Sequence, residues 1–509
     1  MQMLLVLPIL IPLTTSVLML LFWQRVDVQR WLSVASASGL LMAAIFLFGT
    51  VNTDGIQAVN IGNWSAPFGI SLVADLLSAV MLVMIGLIGL AVSIYGLASI
   101  NENHQHDGYH PLVQVLLMGL AGAVLTGDIF NLFVWFEVML ISSFVLLSLG
   151  GGPSQIEGAF KYMALNLFAS SLFLAAIGVL YGVTGTLNMA DLALRIGEGV
   201  VEPGLMTTLA VLFLIAFGIK SAVFPLFFWL PASYHTAPPV ISALFAGLLT
   251  KVGVYVLIRF FTLIFIQDVA YTHTLLLWVA GITMVVGVLG AAAQNEIRRI
   301  LSFHIVSQIG YMIMGLAIFT PLALAGTIFF IAHNIIVKTN LFLIGGVVQR
   351  LQGTEVLKKL GGLYRTWPGF AILFLISALA LAGLPPFSGF WAKLLLVRAG
   401  LAAEGWIIVS VSLIVSILTL YSMTKIWNEA FWKEPADEAD NPEMITPLTR
   451  RVAWSLLAPI CFLAILTVGM GIVVEPILRV TDAAAAQLFD SSDYVEAVLG
   501  ADAMSVVQK

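Results

Sequence analysis

Residues 217–255 read FGIKSAVFPLFFWLPASYHTAPPVISALFAGLLTKVGVY and place two lysines, Lys220 and Lys251, inside runs otherwise apolar enough to cross a bilayer. An ammonium at the centre of a membrane helix costs about 2.5–3.5 kcal/mol on insertion scales, which makes each lysine a functional candidate. Pro225 cannot donate to the carbonyl of Ser221 and its ring collides with that group, so the helix is expected to kink or part within about a turn of Lys220. A helix broken beside a buried charge is how membrane proteins commonly build an ion site.

The surrounding chain has the same character. Of its 509 residues 60% are hydrophobic and 10% charged, and its mean hydropathy is +1.04. A soluble protein is excluded. Apolar stretches of about 20 residues recur, each long enough for a hydrocarbon core roughly 30 Å thick. They lack the alternation of barrel strands, so they are read as helices. Fourteen spans centre near residues 13, 41, 85, 119, 139, 171, 217, 250, 283, 308, 335, 382, 416 and 462. The first begins almost at Met1 without a basic leader and is read as a membrane anchor.

The net charge of −5 includes no basic run suited to nucleic acid. The single Cys461 excludes an internal disulfide, a CxxC pair and an iron–sulfur cluster. There is no Walker A loop, dinucleotide fingerprint, HExxH or Cys/His cluster, so no cofactor or metal is expected, and neither is hydrolytic or redox chemistry. Asn63-Trp64-Ser65 and the Gly178/Gly182 pair match short motifs that are common by chance.

Lysine and arginine set the orientation. With the N-terminus outside, thirteen basic residues fall at inner connections: Arg25, Arg30, Lys161, Arg298, Arg299, Arg350, Lys358, Lys359, Arg365, Lys425, Lys433, Arg450 and Arg451. Five fall outside: Arg195, Arg259, Arg398, Arg479 and Lys509. An even number of spans then returns the C-terminal tail to the outer surface.

The remaining four basic residues, Lys220, Lys251, Lys338 and Lys393, lie within spans, with Glu137 in WFEVMLISSFVLL as their acidic counterpart. Left bare, five such charges would cost about 12–18 kcal/mol, as much as the net stability of a folded domain. They must be paired, hydrated or neutralised, which implies a polar path inside the bundle. Glu137 and Lys220 sit near the middles of the fifth and seventh spans and could pair, either to hold two helices together or as a proton gate. Burial disfavours the charged form of a lysine and a carboxylate nearby favours it.

Lys251 is too central to reach either interface easily, and Gly247 and Tyr255 flank it one turn away on the same face. Lys338 in AHNIIVKTNLFLIGG has Asn334 one turn before it, placed to hold the ammonium or a water, whereas His333 is offset in angle. His304, Ser307, Gln308 and Tyr311 recur at helical spacing in LSFHIVSQIGYMIMG, fit either to hold water or to bond neighbouring helices. Lys393 follows the Pro385-Pro386 break on the outer side, a place suited to an exit group. Asp75, at the start of the third span, is read first as a helix cap. Two proline-broken spans, FPLFFWLP and GLPPFSGFWAK, suggest related halves, although Lys220 precedes Pro225 by five residues and Lys393 follows Pro386 by seven.

Taken together, WFEVML, FGIKSAVFPLFFWLP, GLLTKVG, QNEIRRILSFHIVSQIGYM, HNIIVKTNLF and GLPPFSGFWAK resemble the antiporter-like membrane subunits shared by respiratory complex I and the Mrp multisubunit sodium/proton antiporters, with the closest likeness to the Mrp D type. The resemblance implies an all-α polytopic membrane protein of about 14 transmembrane helices with two inverted five-helix repeats containing broken helices. Its expected divisions are residues 1–105, 106–262, 263–432 and 433–509. It maps a hydrated axis of proton-transfer residues onto Glu137, Lys220, Lys251, Lys338 and Lys393, with His333 and His304 as lesser members. It implies a transporter subunit in a prokaryotic inner membrane, with other membrane subunits, sodium, protons and lipid as partners. Where relatives often carry histidine a turn before the eleventh-span lysine, this chain has Asn334, which orders water but does not titrate. The complex I M-type subunit carries glutamate at the place of Lys393, and the Mrp A type has an added C-terminal membrane region missing here. A membrane subunit of a complex I-like NADH:quinone oxidoreductase is the alternative, and a scaffold whose charges are structural is a third reading.

Overall fold

The computed structural model describes residues 2–434 and 450–500, so Lys509 and part of the final division lie outside the described residues. The chain opens with three long helices, α1 (Gln2–Leu21), α2 (Val26–Asp54) and α3 (Leu76–Ser99). Between α2 and α3 stands an antiparallel hairpin of β1 (Gln57–Asn60) and β2 (Ser71–Ala74), with Gln57 opposite Ala74. After α4 (Glu102–His106) follow α5 (Tyr109–Leu125), α6 (Ile129–Ser148), α7 (Pro153–Thr184), the short α8 (Met189–Gly197) and α9 (Pro203–Ser221). α10 (Trp229–Ser233) lies beyond the break that ends α9, and α11 (Pro239–Leu244), a π-helical turn at Phe245–Leu249 and α12 (Thr250–Leu263) form one continuous span.

The second half runs through α13 (Val269–Ala293), α14 (Ile297–Ile318), α15 (Pro321–Gln352), the one-turn α16 (Leu363–Thr366), and α17 (Pro368–Ala382) and α18 (Ser388–Ala402), which are the two pieces of a second broken span. α19 (Trp406–Ile426) continues into a π-helical turn at Trp427–Trp432, and α20 (Arg450–Ile472), α21 (Val474–Phe489) and α22 (Ser492–Leu499) complete the described chain. Prolines at the first turns of α7, α9, α11, α15 and α17 sit where their missing N–H is harmless. Side-chain caps from Asp75, Asp128, Asn188, Asp268 and Thr320 accept from free N–H groups at the starts of α3, α6, α8, α13 and α15.

Among the described residues, twelve helices are long and apolar enough to cross a membrane. The spans read near residues 119 and 382 fall on α5 and α17, which are shorter apolar helices. α17 is short because Gly383 leaves it in a left-handed conformation (φ 91°) and Pro385 and Pro386 prevent immediate re-entry.

The helix boundaries repeat along the chain. α7 and α15 have the same length, and the interval from Pro153 to Pro321, where they start, is also the interval from Ile129 to Ile297, where α6 and α14 start. The connections repeat at this same spacing. Ile129 N donates to Leu187 O and Met189 N to Gly127 O; one interval later, Ile297 N donates to Glu355 O and Leu357 N to Asn295 O. Counting the shorter α5 and the broken α17–α18 with the long helices, each half from α5 or α13 onward has five apolar segments, an odd number, as an inverted repeat requires. The proline-broken spans identified a true repeat, but at an offset differing from this one. The breaks are where the two halves diverge.

The most apolar stretches of Pro239–Leu263 and Pro321–Gln352 are wholly enclosed, whereas α13 and α19 expose Trp278, Ile282, Ile414 and Ile417. The spans of Lys251 and Lys338 therefore occupy the middle of the bundle, and apolar side chains of the outer helices face outward. The tail is more than a surface appendage. α21 buries Thr481, Ala484, Ala485 and Leu488, and its Gln487 Oε1 accepts from Leu76 N at the start of α3.

Candidate functional site

Lys220 lies in the last turn of α9, where Ala222 turns left-handed (φ 60°) and the helix stops. Its ammonium donates to Ser170 Oγ on α7 at 3.1 Å and sits 4.7 Å from the centre of the Phe136 ring. It lines a cavity with Tyr162, Asn166, Trp229 and Leu249 that has about 20 Å³ for water centres, room for about one molecule. Phe136, Phe173, Phe213, Phe217 and Phe260 pack ring against ring on α6, α7, α9 and α12 and seal the neighbourhood with apolar surface.

Glu137 is the neighbour of Lys220 in the electrostatic sense rather than a bonded partner. The two interact through space, yet none of the ion pairs among the described residues joins them. One carboxylate oxygen, Glu137 Oε1, is buried without a protein hydrogen bond. The expected close pair is thus a charge held near, and apart from, the ammonium, with Phe136 beside it.

Lys251, fully buried, follows the π-helical turn and donates back to Ala246 O. Its helix touches both neighbouring lysine helices closely. A Cβ at Gly253 would lie 3.0 Å from Ser221 N and 3.1 Å from the Lys220 carbonyl carbon, and one at Gly247 would collide with Thr339 Oγ1. The two glycines let the Lys251 span wedge between α9 and α15.

Lys338, also fully buried, has one weak bond, to Leu301 O at 3.4 Å, and interacts electrostatically with both Lys251 and Lys393. One turn away, Asn334 has neither amide atom bonded to protein among the described residues, and the same holds for both polar atoms of Gln308. A buried amide bonds water when protein offers nothing. Lys393, on α18 beyond the second break, donates to Ala382 O and to Ser416 Oγ, both at 3.0 Å, and lies 4.9 Å from the Tyr311 ring centre. Ser416 also meets Tyr311 Oη at 2.8 Å.

The two histidines lie in this stretch. His304 Nε2 meets Ser422 Oγ at 2.6 Å and His333 Nδ1 meets Ser388 Oγ at 2.8 Å, leaving His304 Nδ1 and His333 Nε2 without protein partners. Both rings interact electrostatically with Lys338 and Lys393. The polar face expected on α14 divides. His304 and Tyr311 bond α19, Ser307 donates to Met284 O on α13 as a packing group, and Gln308 remains free of protein bonds. Close packing supports the second break as well: a Cβ at Gly389 would collide with Ala380 O and fall 2.9 Å from His333 Cε1. Gly389→Ala is expected to lower stability by about 1–3 kcal/mol, read as an earlier thermal transition of the purified protein; an unchanged transition would show that the α17–α18 junction yields.

Sequence reasoning missed several groups. Arg259, counted as an outer topology marker, is buried and paired with Asp75 Oδ2 at 2.7 Å. Asp75 is a cap, as read, and also the counter-ion of this arginine. Arg298, counted as an inner marker, is likewise buried and paired with Glu355 at 2.6 Å. Ser170 and Asn166 were missed although a signal existed: they stand one repeat interval before Lys338 and Asn334.

A bundle of membrane-crossing helices with two broken spans and a row of enclosed lysines defines a polytopic membrane protein built on a transporter plan. Residues 126–419 match the family described as NADH:quinone oxidoreductase/Mrp antiporter, TM, and the chain belongs to that family. It is 46% identical to the D subunit of the Na(+)/H(+) antiporter of Alkalihalophilus pseudofirmus, over 97% of this chain and 99% of the relative. It is 41% identical to the D subunit of the Na(+)/H(+) antiporter of Bacillus subtilis, over the same shares. Among solved structures, a chain of the Mrp complex from Dietzia sp. DQ12-45-1b superposes with a TM-score of 0.91 at 34% identity, covering 98% of this chain and all of that one.

Proposed function

We propose that this chain is the D-type subunit of a multisubunit sodium/proton antiporter and carries protons along its buried lysines in exchange for sodium export. The observation that carries the reading is Lys338, within electrostatic reach of Lys251 and Lys393 and one turn from Asn334, whose amide has no protein partner among the described residues. The names of its relatives support an antiporter over a redox-driven pump. Protons pass from water to lysine to water, Glu137 biases Lys220, and Lys393 serves the outer mouth. His304 and His333 border the path between Lys338 and Lys393. The working divisions are 1–105, 106–262, 263–432 and 433–509, supported by the repeated helix boundaries of the two middle parts. Both termini are placed outside, with the basic inner connections facing the cytoplasm of a prokaryotic cell. Partners are other membrane subunits of the complex.

Everted vesicles holding the assembled complex test this through sodium-driven pH changes. Lys220→Ala and Glu137→Ala are each expected to cut exchange per complex by at least about tenfold, as loss of a proton-transfer group or its charge partner does. Full exchange in either assembled variant would remove the role assigned to that residue. NADH oxidation by the purified assembly would favour the complex I reading instead.

A further inference from the structure

The corner where α1 turns into α2 stands against the corner where α4 turns into α5. Gln29, buried on α2, donates to Phe22 O at 3.2 Å and to Trp23 O at 2.9 Å and so fixes the first corner. The Trp23 ring lies over Gly108, where a Cβ would fall 3.0 Å from Trp23 Cη2. Arg30 crosses from one corner to the other. Its Nε donates to Gln105 Oε1 at 2.7 Å, and Gln105 is itself buried and donates to Ile100 O at 2.8 Å.

Between the corners lies a cleft of about 500 Å³ lined by Gln24, Arg25, Asp27, Arg30, Glu102 and His106. Arg25 has no ion pair among the described residues. Arg30 meets Asp27 at 3.0 Å, but the Asp27 side chain is almost wholly exposed. A pair of that kind contributes little in water, so a ligand opens it at small cost. The first turn of α2 also lines the cleft, with no side chain capping its N–H groups, and adds partial positive charge. Apolar surface adjoins this polar lining. Leu20, Leu21, Phe22 and Trp31 are exposed beside it in the chain. Tryptophan next to arginine marks the level at which headgroups meet acyl chains. A soluble anion would use the cleft alone, whereas a phospholipid uses both surfaces.

We infer that this cleft holds the headgroup of a phosphatidylethanolamine molecule, with its acyl chains against Leu20, Leu21, Phe22 and Trp31. Basic pockets between membrane helices bind lipid headgroups, and here the two carboxylates choose among them. Arg25 and Arg30 take the phosphate, for which a guanidinium offers paired donors. The primary ammonium meets Asp27 and Glu102. Phosphatidylcholine carries a quaternary ammonium with no N–H to donate, and phosphatidylglycerol brings no cation to the carboxylates at all. The site is independent of the transport reading; only its assignment to the cytoplasmic leaflet rests on the orientation proposed above.

Photoreactive analogues of these lipids, each with a diazirine in one acyl chain, test this in vesicles holding the assembled complex. The ethanolamine probe is expected to label residues 20–31 at least about tenfold more than the choline probe, and Arg25→Gln with Arg30→Gln to cut that labelling by a similar factor, as loss of two charge-assisted hydrogen-bonding groups does. Arg25→Gln alone, at an exposed side chain, leaves the Arg30–Gln105 bond in place and should still lower it by about threefold or more. Asp27→Asn with Glu102→Gln should erase the preference over a phosphatidylglycerol probe. The apolar groove of Trp278 and Ile282 between α13 and α19 is the internal control, labelled alike by every probe and in every variant. Equal labelling of residues 20–31 by the ethanolamine and choline probes, or labelling unmoved by the arginine substitutions, reduces the bound molecule to ordinary boundary lipid and overturns the inference. Absence of labelling, as when another subunit covers the corner, overturns it too. So does loss of labelling to millimolar inorganic phosphate, which marks a soluble-anion site.

Discussion

Lys338→Met is expected to reduce sodium-driven proton movement by at least about 100-fold, the scale set by loss of a proton-transfer group, while the complex assembles at its usual level. The two halves of this expectation have separate causes. Lys338 is fully buried, its one hydrogen bond among the described residues goes to Leu301 O at 3.4 Å, and it is within electrostatic reach of both Lys251 and Lys393. Methionine has a similar length and no exchangeable proton, so on the proposed path it removes the step between Lys251 and Lys393. It also removes an ammonium that is paired with no carboxylate among the described residues. Replacing a buried charge by an apolar group of like volume is commonly neutral or stabilising. Lost exchange in a well-assembled variant therefore cannot be assigned to misfolding. Exchange per complex within about twofold of the parent protein would show that protons bypass Lys338, and the continuous axis would have to be abandoned.

Arg259→Met should do the opposite: it should damage the fold first. Arg259 and Asp75 pair at 2.7 Å with side chains only 5% and 2% exposed, which leaves no water to take over if one partner is lost. Tyr255 and Tyr494 flank the guanidinium with ring centres 5.5 and 5.1 Å away, so the pair ties α12, α3 and the tail helix α22 together. Breaking a buried pair from one side costs about 3–5 kcal/mol because the remaining charge is stranded. The variant is expected to lower the yield of assembled complex severely and to bring forward its thermal transition. Adding Asp75→Asn removes the stranded charge while keeping a capping oxygen for Ser78 N, and should restore much of the loss. If the single and double variants are equally unstable, the electrostatic account is wrong and Arg259 acts through packing.

These two residues show what a linear reading can and cannot see. Lys338 was legible because a lysine in the middle of an apolar run is anomalous wherever its side chain points. Arg259 looked like an ordinary flanking charge, because nothing in the chain says that Asp75, far earlier in sequence, caps the neighbouring helix at the same depth. Glu137 illustrates a third case: its presence in a span marked it as a candidate, yet its separation from Lys220 depends on how Phe136 and Ser170 fill the space around the ammonium.

Composition and hydropathy alone determined that the chain is a helical membrane protein. In lipid each backbone polar group must be bonded within its own helix, so span after span declares itself independently of its neighbours. The chain's prolines likewise foretold the two breaks, because a missing N–H is a local fact. Tertiary structure alone decided which buried groups meet: that the Lys251 span wedges between α9 and α15, that Asn334 and Gln308 find no protein partner, and that Ser170 receives Lys220. Such pairings arise from helices whose facing residues lie far apart in the chain, and helical periodicity gives a direction around one axis without naming the helix on the other side.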